Sequence, residues 1–242
     1  MMWVMMNLFS DVDIAKQKAA EEALKRVLSL KPRILGVGTG STVDVFIDML
    51  PRFEKELRNV TFVCVSLYSA YRVAQKGFNV SQLSVVSEVD VYVDGADEVD
   101  GNMNMIKGGG GASTLEKIVA YASRYKIFIV DYTKLVKRLG EKHSIPVEVL
   151  PEALNVVYKK LKELGFEVSI RMVKSGKYGF VVSDTRGVIL DVKPSTDFDP
   201  KELELVLKRI PGVVETGLFV DMADEIIVGY PDRVEVLRRI KT

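Results

Sequence analysis

Side chains that can move protons cluster in one stretch of the sequence, between positions 94 and 116. Asp94 and Asp97 directly follow an apolar segment, and Lys107 and Glu116 come after them. Two carboxylates three residues apart in a turn can point into one cleft. Proton transfer between adjacent carbons needs a carboxylate base and donors that stabilise an enediolate oxygen. The stretch therefore predicts acid–base chemistry that requires neither a metal nor a redox cofactor.

Each of these acids also has a plainer interpretation. Asp94, Asp97, Glu98 and Asp100 can form a hydrophilic turn, and the EF-hand spacing of a calcium loop is absent. Glu116 falls near the start of a predicted helix, where a carboxylate often only interacts with the helix dipole. The residue types alone leave these alternatives open.

Glycine runs flank the reactive residues. Glycines 108–111 follow Lys107, and four in a row carry a large backbone-entropy cost that a plain loop does not need. We expect a ligand to approach this backbone closely. A second run, residues 36–42, joins an apolar segment to a helix. Its amide groups, with the hydroxyls of Ser41 and Thr42, predict a phosphate cradle, although a tight turn fits as well.

Neither nucleotide-binding pattern is present in the run at residues 36–42. The dinucleotide pattern fails in both registers, because Ser41 and Val43 stand where the third glycine belongs. The P-loop pattern fails because no Gly-Lys-Ser/Thr follows. Lys134, after another apolar run that ends at Asp131, can meet a phosphate as a point charge or be an ordinary surface lysine.

Alternating helices and strands must position these residues in the first half of the chain. Helices are predicted over 13–30 (N-cap Asp11 or Asp13), 42–57, 69–76 and 113–124, and strands over 33–37, 60–65, 89–93 and 126–130. This alternation predicts an α/β fold with a doubly wound, Rossmann-like parallel sheet. Ligands bind beyond the carboxyl ends of such strands, and four of these ends carry polar or glycine-rich runs.

The pattern changes near residue 140. Strands are predicted over 145–149, 166–173, 179–183, 188–192 and 213–220, with helices over 152–164 and 200–209. This order is β-α-β-β-α-β with one extra strand, which is the split βαβ arrangement of ferredoxin-like domains. We therefore predict a Rossmann-like catalytic domain over 1–139 plus 220–242, and an inserted ferredoxin-like α+β domain over 140–219.

Composition excludes several classes of function. The chain has 34 Lys plus Arg and 33 Asp plus Glu, so no global basic field exists to bind nucleic acid. One cysteine, Cys64, excludes a disulfide framework, and one histidine, His143, makes a zinc site unfavourable. We interpret His143 as a solvated loop residue. The Met-rich start at residues 1–9 predicts neither a signal peptide nor a membrane span, but a cytoplasmic protein, and it can be a packing arm at a subunit contact.

Several motifs together resemble ribose-5-phosphate isomerase of the A type. The resemblance runs through most of the chain. It rests on these segments: 36–42, 92–98, 105–110, 116–117, 131–134, 146–151, 211–214 and 217–219.

The resemblance implies a function: the interconversion of ribose 5-phosphate and ribulose 5-phosphate through an enediolate, without a cofactor. It implies that Glu116 moves the proton between C1 and C2. It also implies that Asp94, Asp97 and Lys107 bind sugar hydroxyls, assist ring opening and stabilise the enediolate. It implies further residues that bind the substrate, its phosphate included: Thr39, Gly40, Ser41, Thr42, Gly95, Ala96, Gly108, Gly109, Gly110, Lys134, Lys16 and Ser66.

Two other classes of protein use related sheets. A sugar-phosphate-binding regulator should carry a helix-turn-helix and a basic face, and neither is visible. A coenzyme A transferase would use a nucleophilic Glu, a role that Glu116 could fill. The partner expected on the favoured interpretation is a small sugar phosphate, with no nucleic acid or membrane, in a homodimer or homotetramer.

Overall fold

The computed structural model describes residues 10–176 and 178–239. The chain divides into two compact units. The first unit is Met1–Gly95, Val119–Lys134 and Ala223–Thr242, and the second is Ala96–Ile118 and Leu135–Met222. The domain limits at 139/140 and 219/220 stay a prediction. The packing arm predicted at residues 1–9 lies outside the described residues.

The described residues form fourteen strands and seven α-helices, numbered in chain order. The strands are β1 (Ile34–Val37), β2 (Thr61–Cys64), β3 (Asn79–Ser81), β4 (Val89–Asp94), β5 (Glu98–Val99), β6 (Met105–Ile106), β7 (Ser123–Asp131), β8 (Ile145–Val149), β9 (Glu167–Ile170), β10 (Val188–Lys193), β11 (Val213–Thr216), β12 (Leu218–Phe219), β13 (Glu225–Gly229) and β14 (Val234–Arg238). The helices are α1 (Asp11–Leu30), α2 (Ser41–Met49), α3 (Glu54–Leu57), α4 (Leu67–Gln75), α5 (Ser113–Tyr121), α6 (Leu154–Glu163) and α7 (Pro200–Lys208).

The first unit contains a seven-stranded sheet with the order β14-β13-β7-β4-β1-β2-β3. All neighbouring pairs are parallel except β13 and β14. Most residues of its inner strands are apolar and buried, because both faces of the sheet are covered. The predicted doubly wound parallel sheet is confirmed, and β13 joins it by parallel pairing with β7. The ends of β1, β2, β4 and β7 lie along one edge.

Local chemistry moved two predicted helix boundaries. The N-cap of α1 is Ser10, so the prediction of Asp11 or Asp13 is wrong. Ser10 accepts from the amide of Asp13, whose carboxylate in turn accepts from the amide of Ser10, which forms a capping box. The helix predicted over 42–57 is interrupted by a 3₁₀ turn at Leu50–Phe53, because Pro51 has no amide hydrogen for an α-helical bond.

Strand pairing shortened a third helix. The helix predicted over 113–124 ends at Tyr121, and β7 begins at Ser123, which is paired with Val89 of β4. Helix-compatible residues at 123–124 are therefore recruited into the parallel ladder. Tertiary pairing outweighs local propensity at this junction.

The second unit contains a four-stranded antiparallel sheet with the order β11-β8-β10-β9. Its chain order, β8-α6-β9-β10-α7-β11, is the predicted ferredoxin-like arrangement, which is confirmed. The strand predicted over 179–183 is wrong, because only the single bridges Met172–Phe180 and Val182–Val188 form there. Apolar faces of α6 and α7 join the sheet in one core, for example through Val157 and Leu207.

The second unit also contains a small sheet that the sequence did not predict, with the order β12-β6-β5. Ile106 is paired with Leu218, and Met105 with Phe219. The next residue, Lys107, donates its amide hydrogen to the carbonyl of Gly217 at 2.8 Å. This sheet therefore fixes the backbone on which Lys107 stands. None of the helices in the described parts of the chain is long and apolar enough to cross a membrane.

Candidate active site

Lys107 and Glu116 form a buried ion pair in the second unit. Lys107 Nζ lies 3.2 Å from Glu116 Oε2, and the two side chains are only 2% and 4% exposed. Burying two charges carries a large desolvation cost, so a buried pair is weak evidence for a stabilising role. Paired and sequestered acids and bases are instead typical of reactive sites. The geometry places a carboxylate that can act as a base beside a cation that can stabilise a developing oxyanion.

Two elements bring this pair together. Lys107 follows β6, which β12 holds by antiparallel pairing. Glu116 lies in the first turn of α5, where its amide donates to the carbonyl of Ala112 at 2.9 Å. The glycines 108–111 connect the two elements. They allow the chain to reverse, because Gly108 and Gly111 have φ of +95° and +85°, values that side chains disfavour.

Phe219 of β12 presents its ring to two ammonium groups. The Nζ atoms of Lys107 and Lys117 lie 5.3 Å and 5.1 Å from the ring centroid. Phe219 is fully buried, so these cation–π contacts act in a poorly solvated environment. Lys117 also forms ion pairs with Glu204 and Glu215, so its charge is balanced by acids other than the Glu116 that pairs with Lys107.

Asp97 of the second unit is held by the glycine run. Its Oδ2 accepts the amide hydrogen of Gly109 at 2.8 Å. A Cβ atom at position 109 would lie 2.8 Å from Asp97 Oδ1, so a glycine is required for this close approach. Asp97 and Gly109 line an open cavity of about 620 Å³ together with Arg171. A small polar ligand can therefore reach the Asp97 carboxylate.

Asp94, at the end of β4 in the first unit, is buried and holds the other glycine run. Its Oδ1 accepts from the amides of Thr39 at 3.2 Å and Gly95 at 2.7 Å. The Tyr92 hydroxyl donates to Oδ2. A Cβ atom at Gly38 would lie 1.8 Å from Asp94 Oδ1, a separation that no structure tolerates. Asp94 thus fixes the shape of the loop that precedes α2.

The N-terminus of α2 is open to an anion. Its N-cap is Gly40, with φ of +129° and no side-chain cap. The first amides of a helix have no partners within the helix, and the dipole favours negative charge there. Ser41 is exposed, and Thr42 is 7% exposed. These donors are what a phosphate cradle at the carboxyl edge of the sheet requires.

Three predicted binding residues occupy different elements of the first unit. Lys134 is half-buried and ends the 3₁₀ turn Tyr132–Lys134 after β7. Lys16 is half-buried on α1, which packs against that same turn. Ser66 is the N-cap of α4, where it accepts from the amide of Ser69 at 3.1 Å. Ser66 therefore has a structural task that the sequence did not reveal, and its substrate role stays a prediction.

Other polar residues of the acidic run serve loop structure. Glu98 is buried and accepts from the amides of Gly140, Lys142 and His143. Asp100 accepts from the amides of Asn102 and Asn104. The hydrophilic-turn interpretation thus fits Glu98 and Asp100. His143 is exposed in the loop that Glu98 holds.

Cys64 and the described His, Asp and Glu residues were considered as a nucleophile and as metal ligands. Burial raises the pKa of the Cys64 thiol to about 12, which leaves it protonated and unreactive at neutral pH. Within residues 10–176 and 178–239, no group of three or more His, Cys, Asp or Glu side chains is arranged to hold a metal ion.

Sequence reasoning missed Tyr92 and Arg171. Side chains alternate between the two faces of a strand, so Tyr92 and Asp94, two residues apart on β4, share a face. This spacing was a signal in the sequence for their contact. No local signal exists for Arg171, whose guanidinium donates to the carbonyls of Gly108 and Gly109. That contact depends on a strand of the antiparallel sheet.

Comparison with known proteins identifies a family. The model of the family described as ribose 5-phosphate isomerase A (phosphoriboisomerase A) matches residues 61–233. Ribose-5-phosphate isomerase A of Thermococcus kodakarensis is 41% identical over 231 residues, covering 95% of this chain and 100% of the relative. The Bordetella bronchiseptica relative is 46% identical over 227 residues, covering 93% and 96%.

Solved structures agree with these relatives. Ribose 5-phosphate isomerase A from Methanocaldococcus jannaschii superimposes with a TM-score of 0.87 at 40% identity, covering 95% of this chain and 100% of that one. A D-ribose-5-phosphate isomerase in complex with phospho-erythronic acid superimposes with a TM-score of 0.89 at 37% identity, with the same coverage. The similarity therefore extends through both units of the chain.

Proposed function

The chain belongs to the ribose 5-phosphate isomerase A family, and on this premise we propose that Glu116 is the base in its interconversion of ribose 5-phosphate and ribulose 5-phosphate. The enzyme is an aldose–ketose isomerase. The observation that carries the assignment of the base is the buried pair of Glu116 with Lys107, 3.2 Å apart. No observation favours the regulator or the transferase considered above.

The proposed reaction begins with the open-chain aldose. Glu116 removes the proton from C2, and the electron pair moves through the C1 carbonyl to give an enediolate. Lys107 stabilises the negative charge on the oxygen, since its ammonium lies beside Glu116. Glu116 then delivers the proton to C1, while a proton passes from O2 to O1, which yields the ketose.

Two aspartates have proposed roles at the sugar hydroxyls. Asp97 faces the cavity of about 620 Å³ and is held by the amide of Gly109, which supports a role in binding and ring opening. Asp94 is buried and directs the loop at Thr39, which supports a role in ordering that loop as well as in binding. The backbones of Gly95, Ala96, Gly108 and Gly110 complete the proposed contacts.

The phosphate is proposed to bind at the start of α2. The amides that follow Gly40 and the hydroxyls of Ser41 and Thr42 supply donors, and Lys134 and Lys16 supply charge. The complex of a structural relative with phospho-erythronic acid, an open-chain phosphorylated acid, supports a sugar phosphate as the ligand. Phospho-erythronic acid is therefore a suitable competitive inhibitor for this chain.

The Glu116→Gln variant tests the base. We expect kcat to fall by roughly a thousandfold or more, because the amide cannot accept the proton, while KM changes little. Ketose formation from ribose 5-phosphate alone is the measurement, which also distinguishes an isomerase from a transferase that needs an acyl-CoA. Glu152→Gln, at an exposed position, is the matched control and should keep the wild-type rate. A near wild-type kcat for Glu116→Gln would remove Glu116 from this role.

The Lys134→Ala variant tests the phosphate site. We expect KM for ribose 5-phosphate to rise about tenfold to a hundredfold, because one charge-assisted contact is lost. Lys134→Ala should not lower the activity on unphosphorylated ribose. Lys55→Ala, at an exposed position on α3, is the matched control. An equal loss with both sugars would contradict phosphate binding by Lys134.

We also propose that the chain assembles as a homodimer or homotetramer in the cytoplasm. The support for assembly is that the four-stranded sheet of the second unit carries none of the residues proposed to bind the substrate. The support for the cytoplasm is that a single cysteine permits no disulfide within the chain. Light scattering after size-exclusion chromatography measures the mass directly. A mass of one 27.0 kDa chain would contradict the assembly.

A further inference from the structure

Arg171, which directly follows β9, forms hydrogen bonds with the backbone of the glycine run at residues 108–111. Its Nη1 donates to the carbonyl of Gly108 at 2.7 Å and to that of Gly109 at 3.1 Å. Its Nε and Nη2 donate to the two carboxylate oxygens of Asp191 on β10. The two side chains are 16% and 23% exposed. The guanidinium is therefore fixed by a bidentate ion pair with Asp191, and its Nη1 donates to the glycine backbone.

One peptide group connects Arg171 to Asp97. The carbonyl of Gly108 and the amide of Gly109 belong to the same planar unit and point in opposite directions. The carbonyl accepts from Arg171 at 2.7 Å, and the amide donates to Asp97 Oδ2 at 2.8 Å. A positive charge at the carbonyl end polarises the peptide and strengthens the hydrogen bond at its amide end.

This peptide has another orientation available to it. Gly108 and Gly109 flank it, and Gly108 already has φ of +95°, so rotation meets no side-chain barrier. A rotated peptide would direct the Gly108 carbonyl, instead of the Gly109 amide, at the Asp97 carboxylate. Two negative groups would then face each other. The Gly108 carbonyl accepts from Arg171 at 2.7 Å and from the amide of Gly111 at 3.0 Å, and both contacts favour the orientation in which Asp97 is held.

We propose that Arg171 is a positioning residue for the isomerisation, acting through the Gly108–Gly109 peptide to hold the Asp97 carboxylate in its working position. Asp191 acts one step further out by fixing the guanidinium. The proposal rests on the proposed role of Asp97 at the sugar hydroxyls. It requires no contact between Arg171 and the substrate.

The test is a double-mutant cycle. Arg171→Gln and Asp97→Asn are made singly and together, and kcat and KM for ribose 5-phosphate are measured. We expect Arg171→Gln to lower kcat/KM about tenfold to a hundredfold, with the loss divided between kcat and KM as in Asp97→Asn. In the Asp97→Asn background, Arg171→Gln should cost less than about threefold, because the group through which it acts is already changed.

Two further variants separate positioning from folding. Arg171→Lys keeps the charge but not the fork, and it replaces Arg171→Gln in the cycle if that variant does not fold. Asp191→Asn should reproduce a milder form of the same kinetic defect. Arg138→Gln is the matched control, because Arg138 is exposed and ion-paired with an exposed Asp197. Its rates should equal those of the wild type.

The outcomes separate this inference from the proposed function. Additive losses in the cycle, or a wild-type rate for folded Arg171→Gln, would overturn the positioning role while Asp97 kept its own. Arg171→Lys should lose less activity than Arg171→Gln, because it keeps the positive charge near the Gly108 carbonyl. A wild-type rate for Asp97→Asn would overturn the role of Asp97 and the inference with it. The result for Glu116→Gln does not depend on any outcome for the Arg171 and Asp97 variants.

Discussion

At the scale of single residues, the proposed site depends on glycines that lack a Cβ atom as well as on charged side chains. Gly38 and Gly109 each lie where a Cβ atom would collide with an aspartate carboxylate, Asp94 and Asp97 respectively. Each aspartate approaches the backbone so closely that any side chain would displace it. The two glycines therefore determine where the two carboxylates proposed for the site lie.

The Gly38→Ala variant tests this requirement. The new Cβ would lie 1.8 Å from Asp94 Oδ1, so the aspartate or the loop must move. We expect about 1–3 kcal/mol lower free energy of unfolding and at least about a tenfold lower kcat/KM. Both are measured by denaturant titration and by steady-state kinetics. Gly101→Ala is the control, since nothing lies within 4 Å of a Cβ there, and a full loss in that variant would contradict the explanation.

At the scale of elements, Glu225 of β13 ties α1 to the edge of the parallel sheet. It accepts from Arg26 of α1 at 3.1 Å and from Arg238 of β14 at 2.8 Å. Burial of Glu225 acts to raise its pKa, but hydrogen bonding by Arg238 and the charge of Arg26 outweigh it. The pKa of Glu225 is therefore held below its ordinary value of 4.5.

This arrangement predicts a pH-dependent contribution to stability. A carboxylate whose pKa is lowered on folding stabilises the protein above its unfolded-state pKa and loses that effect as the pH falls. Glu225→Gln should therefore cost about 2 kcal/mol of unfolding free energy at neutral pH, and the cost should shrink once the pH falls below about 4.5. Urea titrations across this pH range measure it. A difference that stays constant with pH would contradict the ion-pair explanation.

At the scale of the whole molecule, ligand binding should be visible as stability. The Glu116→Gln variant should bind ribose 5-phosphate without converting it, which makes an equilibrium measurement possible. At a ligand concentration of about 100 times Kd, we expect about 2.7 kcal/mol of added stability, or a rise in Tm of roughly 5–10 °C.

The control for this shift is the loss of the phosphate contact. Adding Lys134→Ala to Glu116→Gln should remove most of the rise in Tm at the same ligand concentration, because the weaker complex is less populated. Unphosphorylated ribose should produce little shift in either protein. An equal rise with and without Lys134 would show that the phosphate binds elsewhere.

The sequence by itself determined the two sheets and most of the residues proposed for the site. The apolar residues 127–130 within β7 predict a buried parallel strand, because strands covered on both faces are mostly apolar. Polar and glycine-rich ends of those strands then mark the ligand edge. These inferences depend on local patterns, which a sequence displays directly. The motifs that resemble the isomerase family added the substrate.

Only the tertiary structure decided which groups touch. Arg171 contacts Gly108 across 63 positions of the chain, and Gly217 fixes the backbone of Lys107 through the small sheet that local patterns did not predict. Ser66 proved to be a helix cap, and Glu98 an anchor for the loop at His143. Such contacts arise when distant strands pair and bury polar groups that must then find partners. Residue types at neighbouring positions carry no record of that pairing.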